Sequence, residues 1–222
     1  MARVVLKLGG RVAAESLDVV RERRLAGDEV VVVHGAGPQI TAELETRGIP
    51  VRFVRGRRYT DPATLAIVRS SLVAVGAELS AALGPAALHL MGDEIGLEAT
   101  HVPELGLVGE PAPCRPDALV AALADDLVPV VTPIAVGPLN VNADEAATAL
   151  AAGIGADRVV FVTDVPGVYF EGSVLPVLQA DRATELLDAD AFDGGIVPKL
   201  MAAVHAARLG VTVEIGETAV VA

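Results

Sequence analysis

Residues 29–38 read EVVVVHGAGP, and this stretch decides the fold. Four consecutive valines leave a strand no polar face, which indicates a strand in the interior of a parallel sheet that helices cover on both sides. The glycine-rich end of the stretch is a turn, and a helical pattern runs from residue 39 to residue 47. A strand, a glycine-rich turn and a helix in this order direct backbone N–H groups toward the carboxyl end of the strand, where anions can bind.

The same alternation of apolar strands and helices extends over the whole chain. The predicted strands are residues 3–8, 29–33, 86–90, 127–132, 158–163, 211–215 and 219–221. The predicted helices are residues 15–26, 39–47, 62–83, 117–124, 144–153, 184–188 and 199–208. This order predicts an α/β protein, a three-layer sandwich with a mainly parallel central sheet flanked by helices. We predict one domain over residues 1–222, with an N-terminal lobe of about residues 1–155 and a C-terminal lobe of about residues 156–222.

The composition excludes several classes of function. The net charge is −12 over 222 residues, which argues against nucleic acid as a partner. The sequence shows no apolar run of membrane-spanning length and no signal peptide, so we expect no membrane partner. The single cysteine, Cys114, excludes an internal disulfide bond and a cysteine-based zinc site, and the four histidines lack the spacing of metal ligands. We therefore expect a cytoplasmic protein with no protein-held metal.

Lysine is the rare basic residue of this chain. There are 15 arginines but only two lysines, Lys7 and Lys199. Lysine is a compact point charge on a flexible stem, whereas arginine is a planar fork, so the two lysines suggest that a point charge is required at their positions. Lys7 lies near the end of a buried strand, where a charge is costly unless it reaches a partner or the sheet edge. The alternative interpretation is that the two lysines lie on a solvated surface and are present there by chance.

Residues 140–144 read NVNAD and precede an alanine-rich helix. Alternation at period two places Asn140, Asn142 and Asp144 on one side of an extended segment, with Asp144 at the expected N-cap of the helix. Such a group can bind a small polar substrate or orient lysines around a phosphoryl group. A capping aspartate with two turn asparagines is the alternative that needs no ligand. Phosphoryl transfer suits the whole set, because it needs cations, backbone donors and positioning but little covalent chemistry.

Six segments, in order along the chain, resemble the amino acid kinase family. They are residues 7–10 (KLGG), 34–38 (HGAGP), 55–61 (RGRRYTD), 140–144 (NVNAD), 163–168 (TDVPGV) and 194–199 (GGIVPK). The resemblance is greatest to the members that phosphorylate N-acetyl-L-glutamate with ATP in arginine biosynthesis. It implies transfer of the γ-phosphoryl group of ATP to the γ-carboxylate of N-acetyl-L-glutamate, which forms an acyl phosphate. It also implies that Mg²⁺ arrives with ATP and needs few protein ligands.

The resemblance implies a role for each matching residue. Lys7 and Lys199 would stabilise the charge of the transferring phosphoryl group, and Asp144 would orient both lysines. The expected acceptor-binding residues are Gly10, Ala36, Gly37, Arg58, Asn140 and Asn142, with Arg58 on the α-carboxylate. The expected nucleotide-binding residues are Gly9, Thr163, Asp164, Gly167, Val168, Tyr169, Asp193 and Gly195. No covalent enzyme intermediate is expected.

Some positions depart from the family's pattern. Ala36 stands in the middle of the family's His-Gly-Gly-Gly turn, and Arg57 replaces an apolar residue beside the substrate-binding arginine. The N-terminal helix of the arginine-inhibited hexamers is missing from this sequence, which predicts a homodimer without arginine feedback. Two alternatives stay open. One is a related carboxylate kinase that acts on carrier-bound aminoadipate or glutamate, and the other is a catalytically silent ligand-binding domain.

Overall fold

The structure, a computed structural model, describes residues 1–9, 14–54, 56–163 and 165–222. The helices are α1 (Ala14–Leu25), α2 (Gly37–Thr46), α3 (Pro62–Leu83), α4 (Gly92–Ile95), α5 (Asp117–Ala124), α6 (Ala143–Ile154), α7 (Ala180–Asp188) and α8 (Ile196–Arg208), with a short 3-10 helix at Pro103–Leu105. The strands are β1 (Arg3–Leu8), β2 (Glu29–His34), β3 (Phe53–Val54), β4 (Arg57–Arg58), β5 (Ala87–Met91), β6 (Ala99–His101), β7 (Val108–Pro111), β8 (Val128–Thr132), β9 (Ile134–Ala135), β10 (Leu139–Val141), β11 (Arg158–Phe161), β12 (Tyr169–Phe170), β13 (Ser173–Val174), β14 (Val177–Gln179), β15 (Thr212–Ile215) and β16 (Thr218–Val221).

A central sheet of eight strands, counted over the described residues, has the order β14-β16-β15-β11-β1-β2-β8-β5. Its neighbouring strands are parallel except for β15 and β16, which are antiparallel. The strand that decides the fold, β2, sends its valines alternately to two cores. Val30 and Val32 pack with residues of α1, α2 and α3, whereas Val31 and Val33 pack with residues of α5 to α8. The predicted three-layer α/β sandwich with a mainly parallel sheet is confirmed.

Two smaller elements lie at the carboxyl ends of the central strands. Strands β6, β7, β10 and β9 form a four-stranded sheet, and β10 leads directly into α6. Strands β3 and β4 form an antiparallel hairpin that carries Arg57 and Arg58. The sequence analysis did not predict this hairpin, because strands of two residues contain too few positions to show a period of two.

Helix α3 is long and apolar enough, by length and composition alone, to cross a membrane. This corrects the expectation that the chain holds no such segment. One face of α3 lies in the core, where Ile67, Leu72 and Leu79 are buried. Arg69, on the same helix, forms an ion pair with Asp93. Both features are typical of a helix that packs in a protein core.

Candidate active site

Lys7, Asp144 and Lys199 meet in one ion cluster. The Oδ1 atom of Asp144 lies 3.0 Å from Nζ of Lys7 and 3.5 Å from Nζ of Lys199. Two cations and one anion leave a net positive charge, so an anion placed beside the lysines is attracted. Burial lowers the pKa of Lys199; the charge of Asp144 opposes this effect and that of Lys7 adds to it. The cluster thus presents two ammonium groups that one carboxylate holds together.

Three elements of the fold bring these residues together. Lys7 lies near the end of the central strand β1, where its neighbours are Val33 of β2 and Phe161 of β11. Asp144 lies in the first turn of α6, and Lys199 lies in the first turn of α8, with Nζ 5.8 Å from the centre of the Phe161 ring. The N-terminal ends of both helices add partial positive charge at the same edge of the sheet.

Asn142, not Asp144, caps helix α6. The Oδ1 atom of Asn142 accepts hydrogen bonds from the backbone N–H groups of Asp144 at 2.8 Å and Glu145 at 3.3 Å. The predicted cap at Asp144 is therefore wrong; asparagine and aspartate cap helices about equally well, so the sequence pattern does not separate them. Because Asn142 satisfies the helix end, the carboxylate of Asp144 is available to both lysines.

A cavity of about 190 Å³ opens beside the ion cluster. Its lining includes the ion-cluster residues Lys7 and Asp144 and the predicted acceptor-binding residues Ala36, Gly37, Arg58, Asn140 and Asn142. The turn at residues 35–37 forms one wall, and the N–H group of Gly35 donates to the carbonyl oxygen of Leu8 at 3.0 Å. Helix α2 begins at this turn without a side-chain cap, so its first N–H groups are donors for a ligand. We refer to this space as the acceptor cavity.

Arg58 is a buried cation that has no carboxylate partner among the described residues. It is 7% exposed, and its Nη2 donates to Oγ1 of Thr41 at 2.9 Å and to the carbonyl oxygen of Gly37 at 3.3 Å. Its guanidinium carbon lies 4.6 Å from the centre of the Phe53 ring. The buried Nη1 atom makes no hydrogen bond to any of the described residues. Burial also lowers the pKa of Arg58. A ligand carboxylate would offset the cost of this buried charge through a bidentate pair.

Asn140 supports Arg58 through the buried hydroxyl of Thr60. The Nδ2 atom of Asn140 donates to Oγ1 of Thr60 at 2.9 Å, and that hydroxyl donates to the carbonyl oxygen of Arg58 at 2.8 Å. Thr60 is fully buried. These two bonds link strand β10 to strand β4 beside the acceptor cavity and fix the backbone from which the guanidinium extends.

A second cavity, of about 470 Å³, lies at the start of α8. Its lining includes three of the predicted nucleotide-binding residues, Gly167, Tyr169 and Asp193. Val168 is not in that lining, because it is fully buried and its N–H group donates to Oγ1 of Thr218 at 2.8 Å. The cavity is larger than the acceptor cavity and lies beside the helix that carries Lys199.

The other predicted nucleotide-binding residues lie outside this lining. Gly9 and Gly195 have open space where a side chain would be, which allows a ligand to approach the backbone closely. Thr163 follows β11 and is half-buried. Gly10, from the acceptor-binding set, and Asp164 lie outside the described residues.

Sequence reasoning missed a cluster in which two histidines share one hydroxyl. Oγ1 of Thr132 lies 3.2 Å from Nε2 of His34 and 2.8 Å from Nε2 of His89. His34 is fully buried; burial lowers its pKa to about 4, and the nearby His89 adds to this effect. Burial also lowers the pKa of His89. Both rings are therefore neutral near pH 7. The two histidines are far apart in the sequence, so only the adjacent strands β2, β8 and β5 reveal the pair.

The buried His34 is expected to make the fold sensitive to acid. The unfolded chain takes up a proton as pH falls below 6.5, whereas folded His34 stays neutral until about pH 4. The contribution of neutral His34 to the free energy of unfolding is thus fully present above pH 6.5. It is lost as the pH falls from 6.5 to about 4, and the loss is about 3 kcal/mol in total. Urea unfolding across this range should show that loss. The same measurement on His34→Gln should give a shallower slope, while the variant of an exposed histidine, His205→Gln, should keep the wild-type slope. Equal slopes in all three proteins would contradict this account.

The sequence profile of the amino acid kinase family matches residues 2–217 of this chain. The chain belongs to the amino acid kinase family. Among related amino acid kinases, the acetylglutamate kinase of Roseiflexus castenholzii is 40% identical, over 94% of this chain and 86% of its own length. The acetylglutamate kinase of Solibacter usitatus is 41% identical, over 94% of this chain and 88% of its own. The crystal structure of smu.665 from Streptococcus mutans superposes with a TM-score of 0.88 at 26% identity, covering 99% of this chain and 98% of that one. The predicted family resemblance is confirmed.

Proposed function

We propose that this chain is an N-acetyl-L-glutamate 5-kinase, an enzyme that transfers the γ-phosphoryl group of ATP to the γ-carboxylate of N-acetyl-L-glutamate. The products are ADP and an acyl phosphate, in a step of arginine biosynthesis that we place in the cytoplasm. The observation that carries the proposal is the buried guanidinium of Arg58, which has no carboxylate partner among the described residues and lies in a small cavity beside the ion cluster of Lys7, Asp144 and Lys199. The names of the curated relatives support the same substrate.

The acceptor cavity suits a small molecule with a carboxylate at each end. Arg58 binds the α-carboxylate through its free Nη1 edge, which directs the other end of the molecule toward Lys7. Asn140 and Asn142 bind the remaining polar groups, and the backbone N–H groups of Ala36 and Gly37, with that of Gly10, hold acceptor and phosphate oxygens. In this orientation the γ-carboxylate reaches the lysines, where the phosphoryl group arrives from the other side.

The transfer is a direct displacement at phosphorus. An oxygen of the γ-carboxylate forms a bond to the γ-phosphorus, the bond from that phosphorus to the bridging oxygen of ADP breaks, and the electron pair leaves with ADP. Lys7 and Lys199 stabilise the charge on the phosphoryl oxygens, and Asp144 keeps both ammonium groups in place. No proton has to move, since the acceptor is already ionised at neutral pH.

The nucleotide occupies the second cavity, and Mg²⁺ comes with its phosphates. Gly167, Tyr169 and Asp193 line that cavity, and the open backbone of Gly9 and Gly195 allows phosphates to approach. Thr163, Asp164 and Val168 complete the proposed nucleotide-binding set. No cluster of three or more potential metal-binding side chains occurs among the described residues. The site therefore fits an ion that the phosphates and water hold, which supplies further positive charge when bound.

The proposal is tested by ATP consumption with a panel of acceptors. We expect the largest kcat/KM with N-acetyl-L-glutamate, because Arg58 binds one carboxylate and the acetylated nitrogen avoids a second cation in a positively charged cavity. L-glutamate and N-acetyl-L-aspartate serve as matched acceptors that lack the acetyl group and one methylene, respectively. Faster turnover of either one, or of an N-acetyl-aminoadipate, would contradict the proposed substrate. Binding of ATP and ADP without turnover of any acceptor would contradict the proposal that this chain is an enzyme.

We also propose that the chain forms a homodimer. Strand β5 lies at one end of the central sheet and pairs on one side with β8. The exposed apolar side chains Leu88 of β5 and Val73 of α3 lie in this part of the molecule. An open sheet edge with apolar neighbours favours pairing with a second copy. Light scattering should give the mass of a dimer, and a monomer at micromolar concentration would contradict this part of the proposal.

A further inference from the structure

The hairpin β3–β4 presents two adjacent arginines to opposite sides. Successive side chains of a strand point to opposite faces, so Arg57 and Arg58 extend in opposite directions. Arg58 extends toward Thr41 and the start of α2. Arg57 extends toward α6 and β7, away from those partners. The proposed mechanism uses Arg58 and leaves Arg57 without a role.

Arg57 forms an ion pair with the residue that follows Asp144. Its Nε donates to Oε1 of Glu145 at 2.9 Å, and its Nη1 donates to Oε2 of Glu110 at 3.3 Å. The side chains of Arg57 and Glu145 are 20% and 25% exposed, whereas that of Glu110 is 62% exposed. The pair with Glu145 is thus the more shielded of the two, and the stronger of the two by Coulomb's law.

We propose that Arg57 and Glu145 are positioning residues: their ion pair fixes the hairpin that carries Arg58 against the helical turn that carries Asp144. The inference rests on the proposed function and deepens it. Arg57 is the sequence neighbour of Arg58, and Glu145 is the sequence neighbour of Asp144. Together with the bonds through Thr60, this ion pair therefore helps to set the separation between the acceptor's bound α-carboxylate and the cluster that receives the phosphoryl group. A small error in that separation is costly for phosphoryl transfer, which depends on alignment.

A further contact and the charge state of the pair support this role. The turn of the hairpin contains Gly56 with a φ of +77°, and a Cβ atom there would lie 2.9 Å from Cβ of Pro198, the residue before Lys199. The hairpin thus contacts both helices that supply the ion cluster. Burial raises the pKa of Glu145 and the charge of Arg57 opposes this, so Arg57 helps to keep Glu145 ionised beside Asp144. Burial acts to lower the pKa of Arg57, but its two glutamates outweigh burial and raise it.

The experiment compares Arg57→Met, Glu145→Gln and the double variant in steady-state kinetics. We expect each single variant to raise the KM for N-acetyl-L-glutamate and to lower kcat, each by about 10-fold, because the acceptor is bound less tightly and less well aligned. The KM for ATP should change by less than about twofold, since the nucleotide cavity does not include this pair. The double variant should be no worse than either single variant, because both remove the same interaction.

Glu110→Gln is the matched control. It removes the exposed carboxylate from the same guanidinium and leaves the pair with Glu145, so we expect both kinetic constants to stay within about twofold of the wild type. Glu145→Gln keeps the shape of the side chain and removes only its charge. It therefore still tests the inference if Arg57→Met disrupts the structure of the hairpin. An unchanged acceptor KM in both single variants, beside an active wild type, would overturn the positioning role. Strictly additive effects in the double variant would overturn it too. A wild type that does not phosphorylate N-acetyl-L-glutamate would reject the proposed function instead.

Discussion

Replacement of Asp144 by asparagine is expected to lower kcat by about 100- to 1,000-fold, with a much smaller effect on either KM. Asparagine keeps the shape of the side chain but removes the charge that both Lys7 and Lys199 contact. The two ammonium groups then repel each other and leave the positions from which they stabilise the phosphoryl oxygens. Because Asp144 raises the pKa of Lys199, its loss should also move the alkaline limb of the kcat profile to lower pH.

Asp28→Asn is the control for this variant. Asp28 is also a shielded carboxylate beside a cation, since its side chain is 11% exposed and lies 3.8 Å from Arg23, but it precedes β2 at the opposite edge of the sheet. We expect this change to lower stability and to leave kcat unchanged. The measurement is steady-state kinetics over a range of pH, which compares kcat and both KM values of the two variants with those of the wild type. An Asp144→Asn enzyme with near-normal kcat would remove the ion cluster from the mechanism.

Replacement of Arg58 by lysine is expected to raise the KM for N-acetyl-L-glutamate by about 10- to 100-fold, through loss of a charge-assisted bidentate pair. Lysine keeps the charge but cannot present the planar edge that the free Nη1 atom offers to a carboxylate. A ligand interaction that is equal in the ground state and the transition state changes KM more than kcat. The KM for ATP should not change.

Arg52, the residue before strand β3, offers a control for Arg58→Lys. Arg52 is exposed, and its guanidinium carbon lies 5.2 Å from the centre of the Tyr59 ring, outside the acceptor cavity. Arg52→Lys therefore tests whether the loss of any arginine near the hairpin affects binding. We expect its acceptor KM to equal that of the wild type. An unchanged KM in Arg58→Lys would remove Arg58 from the acceptor site.

Much of the fold follows from local patterns in the sequence. Helix α3 has the predicted bounds, because the Asp61 side chain accepts from the N–H group of Thr64 at its start, Pro62 suits its first turn, and Gly84 follows its end. The apolar runs that form strands β1 and β2 are long enough to predict, from the sequence, that both faces of each strand are buried. Lys7 was predicted near the end of a buried strand, and it lies near the end of β1 in the structure.

Contacts between distant segments could not be predicted in the same way. The pair of Arg57 and Glu145 joins residues of two elements whose relative orientation depends on the whole core. The start of α7 at Ala180, earlier than predicted, is marked by no capping side chain at Gln179. Asn142 caps α6 while Asp144 contacts the two lysines, and this tertiary contact is not contained in the local pattern of capping residues.

The most direct test of the central claim is the identity and amount of the acyl phosphate. The enzyme is incubated with ATP, N-acetyl-L-glutamate and hydroxylamine, and the γ-hydroxamate is measured together with ADP. Direct transfer to the γ-carboxylate predicts one hydroxamate for each ADP, with neither product formed when the acceptor is omitted. ADP released without hydroxamate, or hydroxamate formed on a different acceptor alone, would contradict the account.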